Sequence, residues 1–112
     1  MRIAVPLVQG RLSPHFGHCE VFAVLDVDEE NRSVVRIEKL EPPPHEPGLL
    51  PRWLADQGVK VILAGGMGGR ARALFAEKGI EVVVGAPADA PEDVAAAYLA
   101  GTLVTGENAC DH

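Results

Sequence analysis

The sequence predicts an α/β fold in which helices cover both faces of a mixed five-stranded sheet. Three observations predict it. Residues 61–85 read VILAGGMGGRARALFAEKGIEVVVG, an apolar β-type run, a glycine turn, an amphipathic helix, a glycine stop and a second apolar run. Two strands joined through a helix make a right-handed crossover with the strands parallel, because a twisted strand and a helix pack back onto one sheet only that way. The first 40 residues carry three β-type runs divided by turn signals, which reads as mostly antiparallel pairing. After them the order is helix, strand, helix, strand, helix. The economical arrangement of those elements is a three-layer sandwich.

The elements follow in chain order. Residues 3–8 are apolar and form the first strand, with Pro6, which lacks an N–H, expected at a bulge or near the strand end. Residues 9–18 are polar and broken by Gly10, Pro14 and Gly17, and are expected to be a loop. Residues 20–28 resume the β pattern through Val21, Phe22, Val24, Leu25 and Val27, and DVDEEN at 26–31 makes the hairpin connection. In the return strand, 34–40, Val35 and Ile37 alternate with Arg36 and Glu38, which predicts one wet face and an edge position. The segment EPPPHEPG, 41–48, is too rich in proline for a helix or inner strand and reads as a stiff linker or lid.

Residues 49–57 place Leu50, Trp53 and Leu54 at helical spacing, with Pro51 tolerable in a first turn and Gly58 as the stop. Val61 to Ala64 and Val82 to Val84 are consecutively apolar, so both crossover strands are expected to be central and covered on both faces. Between them Ala71, Leu74, Phe75 and Lys78 share one helical face, with the Lys78 amine in water, and Gly79 supplies the left-handed stop. Asp89 and Glu92 have capping-box spacing for a last helix that presents Val94, Ala97 and Tyr98 and stops at Gly101. The expected organisation is one domain over 1–105 and a tail over 106–112 that ends in CDH.

Composition narrows the class. At 112 residues and 47% hydrophobic, with three Phe, one Trp and one Tyr, the chain supports a single aliphatic core. A net charge of -6 without any basic cluster argues against a nucleic-acid partner. No apolar run approaches the roughly 20 residues that span a bilayer, and the N-terminus has no signal-peptide pattern. A cytoplasmic protein with no membrane partner is expected. Two cysteines in that setting read as free thiols or metal ligands rather than a disulfide.

The chemistry-bearing residues are concentrated in loops. SPHFGHC, 13–19, places His15, His18 and Cys19 together after the first strand, and imidazole and thiolate suit iron, zinc and copper. The same residues also fit a turn with exposed histidines and a Cys19 packed as a small hydrophobe. Cys110 and His112 form a Cys-x-His at the C-terminus, which can chelate or simply fray. His45 stands alone in the proline segment. Four His and two Cys, none within a regular element, point to a site at one end of the sheet. No Cys-x-x-Cys pair occurs, which argues against a closed structural zinc site or a four-cysteine cluster.

The turn GGMGGRA, 65–71, contains Gly66-x-Gly68-x-x-Ala71 between a strand and a helix, the spacing of a dinucleotide fingerprint. The region after the next strand, VVVGAPA, offers no acid for a ribose. Two other readings stand beside that one: glycines that permit tight turning, and free amides at the helix start that, with Arg70 and Arg72 nearby, favour an anion. There is no catalytic triad or nucleophile elbow, and Asp26 and Asp28 read as solvated hairpin acids.

Taken jointly, IAVPL, SPHFGHC followed by Phe22, HEPGLLPRWL, VILAGGMGGRA and the final CDH resemble the dinitrogenase iron-molybdenum cofactor biosynthesis family, in order and over almost the whole chain. The resemblance implies a ribonuclease-H-like three-layer fold around a mixed five-stranded sheet. It also implies a non-enzymatic role: binding an iron-molybdenum cofactor, its iron-sulfur precursor or a related cluster, and passing it between donor and acceptor proteins. On the matching positions His15 is the first ligand candidate and Cys19 the second, accompanied in the motif by Ser13, Phe16 and Gly17. Gly65, Gly66, Met67, Gly68, Gly69 and Arg70 would be the cradle; His45, Cys110 or His112 is expected to assist the two ligands, and His18 is a further metal candidate. Gly69 stands where many relatives carry proline. A mononuclear zinc module using the same side chains, and a small enzyme or sensor binding a nucleotide or other anion at the glycine turn, are the alternatives.

Overall fold

The computed structural model describes residues 1–44 and 48–106. Strands β1 (Arg2–Val8), β2 (Arg11–Leu12), β3 (Val21–Asp28) and β4 (Ser33–Leu40) precede α1 (Leu49–Asp56), β5 (Val59–Leu63), α2 (Gly69–Glu77), β6 (Glu81–Val83) and α3 (Pro91–Ala100). The sheet runs β4-β3-β1-β5-β6, with the short β2 paired to β1. β1 is antiparallel to β3 and parallel to β5, and β5 is parallel to β6, so the sheet is mixed as expected. It has six strands where five were expected, because a two-residue strand forms inside the 9–18 segment read as loop.

The side-chain period of two divides the core into two layers. Ile3, Val5 and Leu7 of β1, with Ala23 and Leu25 of β3, pack under Val94 and Ala95 of α3. Ala4, Phe22, Val24 and Ile62 face the other way, against Leu50 and Leu54 of α1 and Phe75 of α2. Helices therefore lie on both faces.

Pro6 sits in unbroken register opposite Phe22, so no bulge forms there. Its carbonyl accepts the Ser13 amide at 2.8 Å, on the side away from β3. The nitrogen of a strand residue points to the same side as its carbonyl, so the missing N–H costs the β1–β3 ladder nothing.

Three expectations change. β5 is central and buried, but β6 ends the sheet, and Val82, Val83 and Val84 are only half-buried. An apolar triplet read as an inner strand thus lies at an edge that α2 and α3 shelter in part. β4 is the other edge, as expected, yet Val35 and Ile37 are 69% and 41% exposed. Pairing shifts between Asp26 and Val27 and leaves Val35 as an extra, bulged residue. The Asp89–Glu92 box does not form: α3 is capped by Ala90 without a side-chain hydrogen bond, and Pro91 opens the first turn. Proline preorganises that turn, and Glu92 and Asp93 favour the helix N-terminus through its dipole.

The segment after α3 turns back along the sheet. Leu103 packs against the α3-side core, and the Gly106 amide donates to the Gly85 carbonyl at 2.7 Å. No helix among the described residues is long and apolar enough to cross a membrane.

Candidate functional site

The candidate site is assembled where the segment after β2 meets the turn after β5. Ser13 begins it. The Ser13 side chain is buried, donates to the His15 carbonyl at 2.7 Å and accepts the His15 amide at 3.3 Å, which fixes the turn from within. Pro14 and His15 are exposed, and a short 3-10 turn, Phe16–His18, follows.

Phe16 fastens that turn to the core. Its ring meets Phe75 edge-on at 5.5 Å and Phe22 at 6.0 Å, pair geometries that aromatic quadrupoles favour. Its amide donates to the Gly66 carbonyl at 2.8 Å. A Cβ placed on Gly65 would come within 2.8 Å of the Pro14 Cα and the Ser13 carbonyl, so only glycine lets the two backbones lie so close. The Gly85 amide donates to the Gly65 carbonyl at 2.6 Å, tying in the turn after β6 as well.

The glycine turn then divides by role. Gly65, Gly66 and Met67 are buried and serve packing, with Met67 fully enclosed in the α1–α2 layer. Gly68 caps α2 with no side-chain hydrogen bond, and Gly69 and Arg70 begin the helix at the surface. The first-turn amides of such a helix are left to solvent or a ligand. Cβ atoms on Gly17, Gly68 and Gly69 would point into open space, so their absence leaves the backbone open to approach.

Cys19 follows the 3-10 turn, with its amide donating to the Phe16 carbonyl at 3.3 Å. The thiol is half-buried in a cleft of about 200 Å³ shared with Phe16, Gly17, Pro42, Pro43 and Leu50. Burial pushes the thiol up to about 11, against a smaller opposing effect of the backbone hydrogen bond, so it is protonated at neutral pH. The proline segment, expected to be a stiff linker or lid, supplies one wall. A wider groove of about 420 Å³ lies between α2 and β6 and contains Arg72 and Glu81 but no His or Cys.

Of the residues singled out from sequence, Ser13, Pro14 and Phe16 are thus brought against Gly65 and Gly66, while the cleft that Cys19 lines contains no residue of the glycine turn. Phe16 and Met67 hold the site from beneath, while His15, Gly17, Gly69 and Arg70 lie at the surface, Gly68 is half-buried and Cys19 opens onto the cleft. The backbone of His18 lies in the 3-10 turn. His45, Cys110 and His112 fall outside the described residues. Among the described residues no three His, Cys, Asp or Glu side chains converge as a metal site. Sequence reasoning missed Gly85 and Leu50. A glycine directly after the VVV run was the available signal for the first, and Leu50 was assigned wholly to the core.

Comparison with known proteins places this geometry. A family model described as "Dinitrogenase iron-molybdenum cofactor" matches residues 1–101. An uncharacterized protein of Methanocaldococcus jannaschii is 36% identical over 87 residues, which are 73% of this chain and 72% of that one. The crystal structure of the protein PH0822 superposes with a TM-score of 0.83 at 34% identity, covering 94% of each chain. The apo form of the orange protein from Desulfovibrio gigas superposes at 0.73 with 24% identity, over 96% of this chain and 93% of that one, a likeness of fold. With the family match running through every strand and helix described above, the chain belongs to the dinitrogenase iron-molybdenum cofactor family.

Proposed function

We propose that this protein binds and carries a metallocluster of the iron-sulfur or iron-molybdenum type as cargo, without catalysing a reaction. His15 and Cys19 are the protein ligands, and the backbone of Gly17 and Gly68 to Arg70 is the cradle. The observation that carries the reading is the Phe16 amide bonded to the Gly66 carbonyl at 2.8 Å, which fastens the histidine- and cysteine-bearing turn to the glycine turn. Anionic clusters suit such a place: helix-start amides and the exposed Arg70 favour negative charge, and missing Cβ atoms admit a bulky guest.

Few ligands and an open cradle also suit release. A carrier must shield its cargo yet give it up to an acceptor protein, and two side chains hold it less firmly than a closed thiolate cage. Binding through Cys19 displaces the thiol proton, so uptake is linked to proton release. The family match supports the iron-molybdenum side of the reading. The strand order, with the short β2 set aside, supports a ribonuclease-H-like arrangement. The cytoplasm, where thiols stay reduced, is the compartment the reading requires.

Anaerobic reconstitution with iron and sulfide, followed by absorption spectroscopy and metal analysis, tests the reading. A broad charge-transfer band with bound iron is expected for the wild type and is expected to vanish in the His15→Ala, Cys19→Ala variant. A band that survives in that variant, or no band in either protein, contradicts it. Stoichiometric zinc without a band would instead favour the mononuclear module.

A further inference from the structure

Strand β4 is an eight-residue strand that ends the sheet, and among the described residues only β3 pairs with it. Edges of this length usually carry protection, because their free N–H and C=O groups recruit other strands. Here the outer part of the strand is apolar and charged in a particular order. Val35 and Ile37 are exposed, and Arg36 and Glu38 flank Ile37 on one face, with the Arg36 guanidinium 3.6 Å from the Glu38 carboxylate. Beyond the bulge at Val35, Arg36 to Leu40 runs in unbroken register with β3, so this part of the edge is regular.

Past the bulge, Arg36, Ile37 and Glu38 are self-complementary about Ile37 when read antiparallel to themselves. A two-fold axis at Ile37 sets that residue opposite its own copy and Arg36 opposite Glu38, within the regular part of the strand past the bulge at Val35. Ile37 then meets Ile37, and each Arg36 meets a Glu38. Like charges never meet. Lys39 and the bulge would blunt this edge against a foreign strand, but in this register Lys39 faces no cation.

We propose that β4 is a homodimer interface, in which two copies of this chain join their sheets antiparallel, edge to edge, with the two-fold axis at Ile37. Such an interface is isologous, so each ion pair occurs twice and each residue meets its complement on the other copy. The glycine turn lies outside the paired strands, whereas the Cys19 cleft has Pro42 and Pro43, just past the end of β4, as one wall. The inference does not depend on what that site binds.

Charge reversal tests the register itself. Size-exclusion chromatography with light scattering is expected to show a wild-type dimer. Arg36→Glu alone and Glu38→Arg alone each place like charges opposite one another and are expected to weaken association by about tenfold or more. An equimolar mixture of the two single variants is expected to form a heterodimer, since each then presents the charge the other lacks, and the double variant R36E/E38R is expected to dimerise again. Both side chains are solvent-exposed, so circular dichroism is expected to show native folding throughout. Ile37→Lys, which sets two ammonium groups together on the axis, is a second route to the monomer. A wild type that stays monomeric at about 1 mM, single variants that dimerise like the wild type, or a mixture that fails to associate would each overturn the proposal.

Discussion

The amide of Phe16 donates to the carbonyl of Gly66 across 2.8 Å, and this bond joins two turns that are 50 residues apart in the chain. Around it the Pro14 backbone presses on Gly65, and the Phe16 ring is clasped by Phe75 and Phe22. The joint is therefore held by a hydrogen bond, a steric fit and aromatic packing together.

Gly65 and Gly68 are expected to separate stability from capture. Gly65→Ala drives a methyl into the Pro14 and Ser13 backbone and is expected to destabilise the fold by about 1–3 kcal/mol in urea unfolding. Gly68 has φ -67 and open space at its Cβ, so Gly68→Ala is expected to stay within about 1 kcal/mol of wild type. Under the proposed function the second variant nonetheless reconstitutes less cluster, because the methyl occupies the cradle. Equal reconstitution by Gly68→Ala and wild type would contradict the role assigned to that position.

Gly85 is constrained on two counts. It has φ +78, and a Cβ there would overlap the Gly106 carbonyl oxygen. Gly85→Ala is expected to cost about 2–3 kcal/mol and to free the segment 102–106 from the sheet. Faster hydrogen exchange at the Gly106 amide, with exchange in β1 following only the global loss of stability, is the expected signature.

Cys19 sets a pH dependence. Its native thiol ionises near 11, while the unfolded thiol ionises near 9.0, so between those values the unfolded chain binds fewer protons. Stability is expected to fall as pH rises from about 9 to about 11, and Cys19→Ser is expected to flatten that part of the profile. Alkylation at Cys19, followed by peptide mass analysis, is expected to keep accelerating above pH 9 rather than level off there.

Much of this was legible in the sequence. The crossover at 61–85 announced itself through consecutive apolar runs and a helical face, signals that depend on local periodicity alone. What periodicity does not encode is lateral order. Val82 to Val84 read as an inner strand, yet no later strand adds beyond β6, and that depends on the chain having no further strand to place there among the described residues. Val35 looked inward-facing by alternation, but a bulge breaks alternation without any glycine or proline to signal it. Asp89 missed its capping role because Pro91 already fixes the helix start one residue after Ala90. The meeting of 13–19 with 65–70 was inferred from loops at one end of the sheet, whereas the contacts that make it, Gly65 against Pro14 and Gly66 with Phe16, are tertiary and leave no local trace.

The central claim is spatial, and paramagnetic broadening of backbone amide signals on cluster loading tests it most directly. Comparison of metal-free and reconstituted protein by nitrogen-edited NMR is expected to erase or broaden the amides of Phe16, Gly17, Cys19 and Gly66 to Arg70, leaving α3 and β4 sharp. Broadening centred instead on the α2–β6 groove around Arg72 and Glu81, with the Phe16 to Cys19 amides intact, would contradict the account.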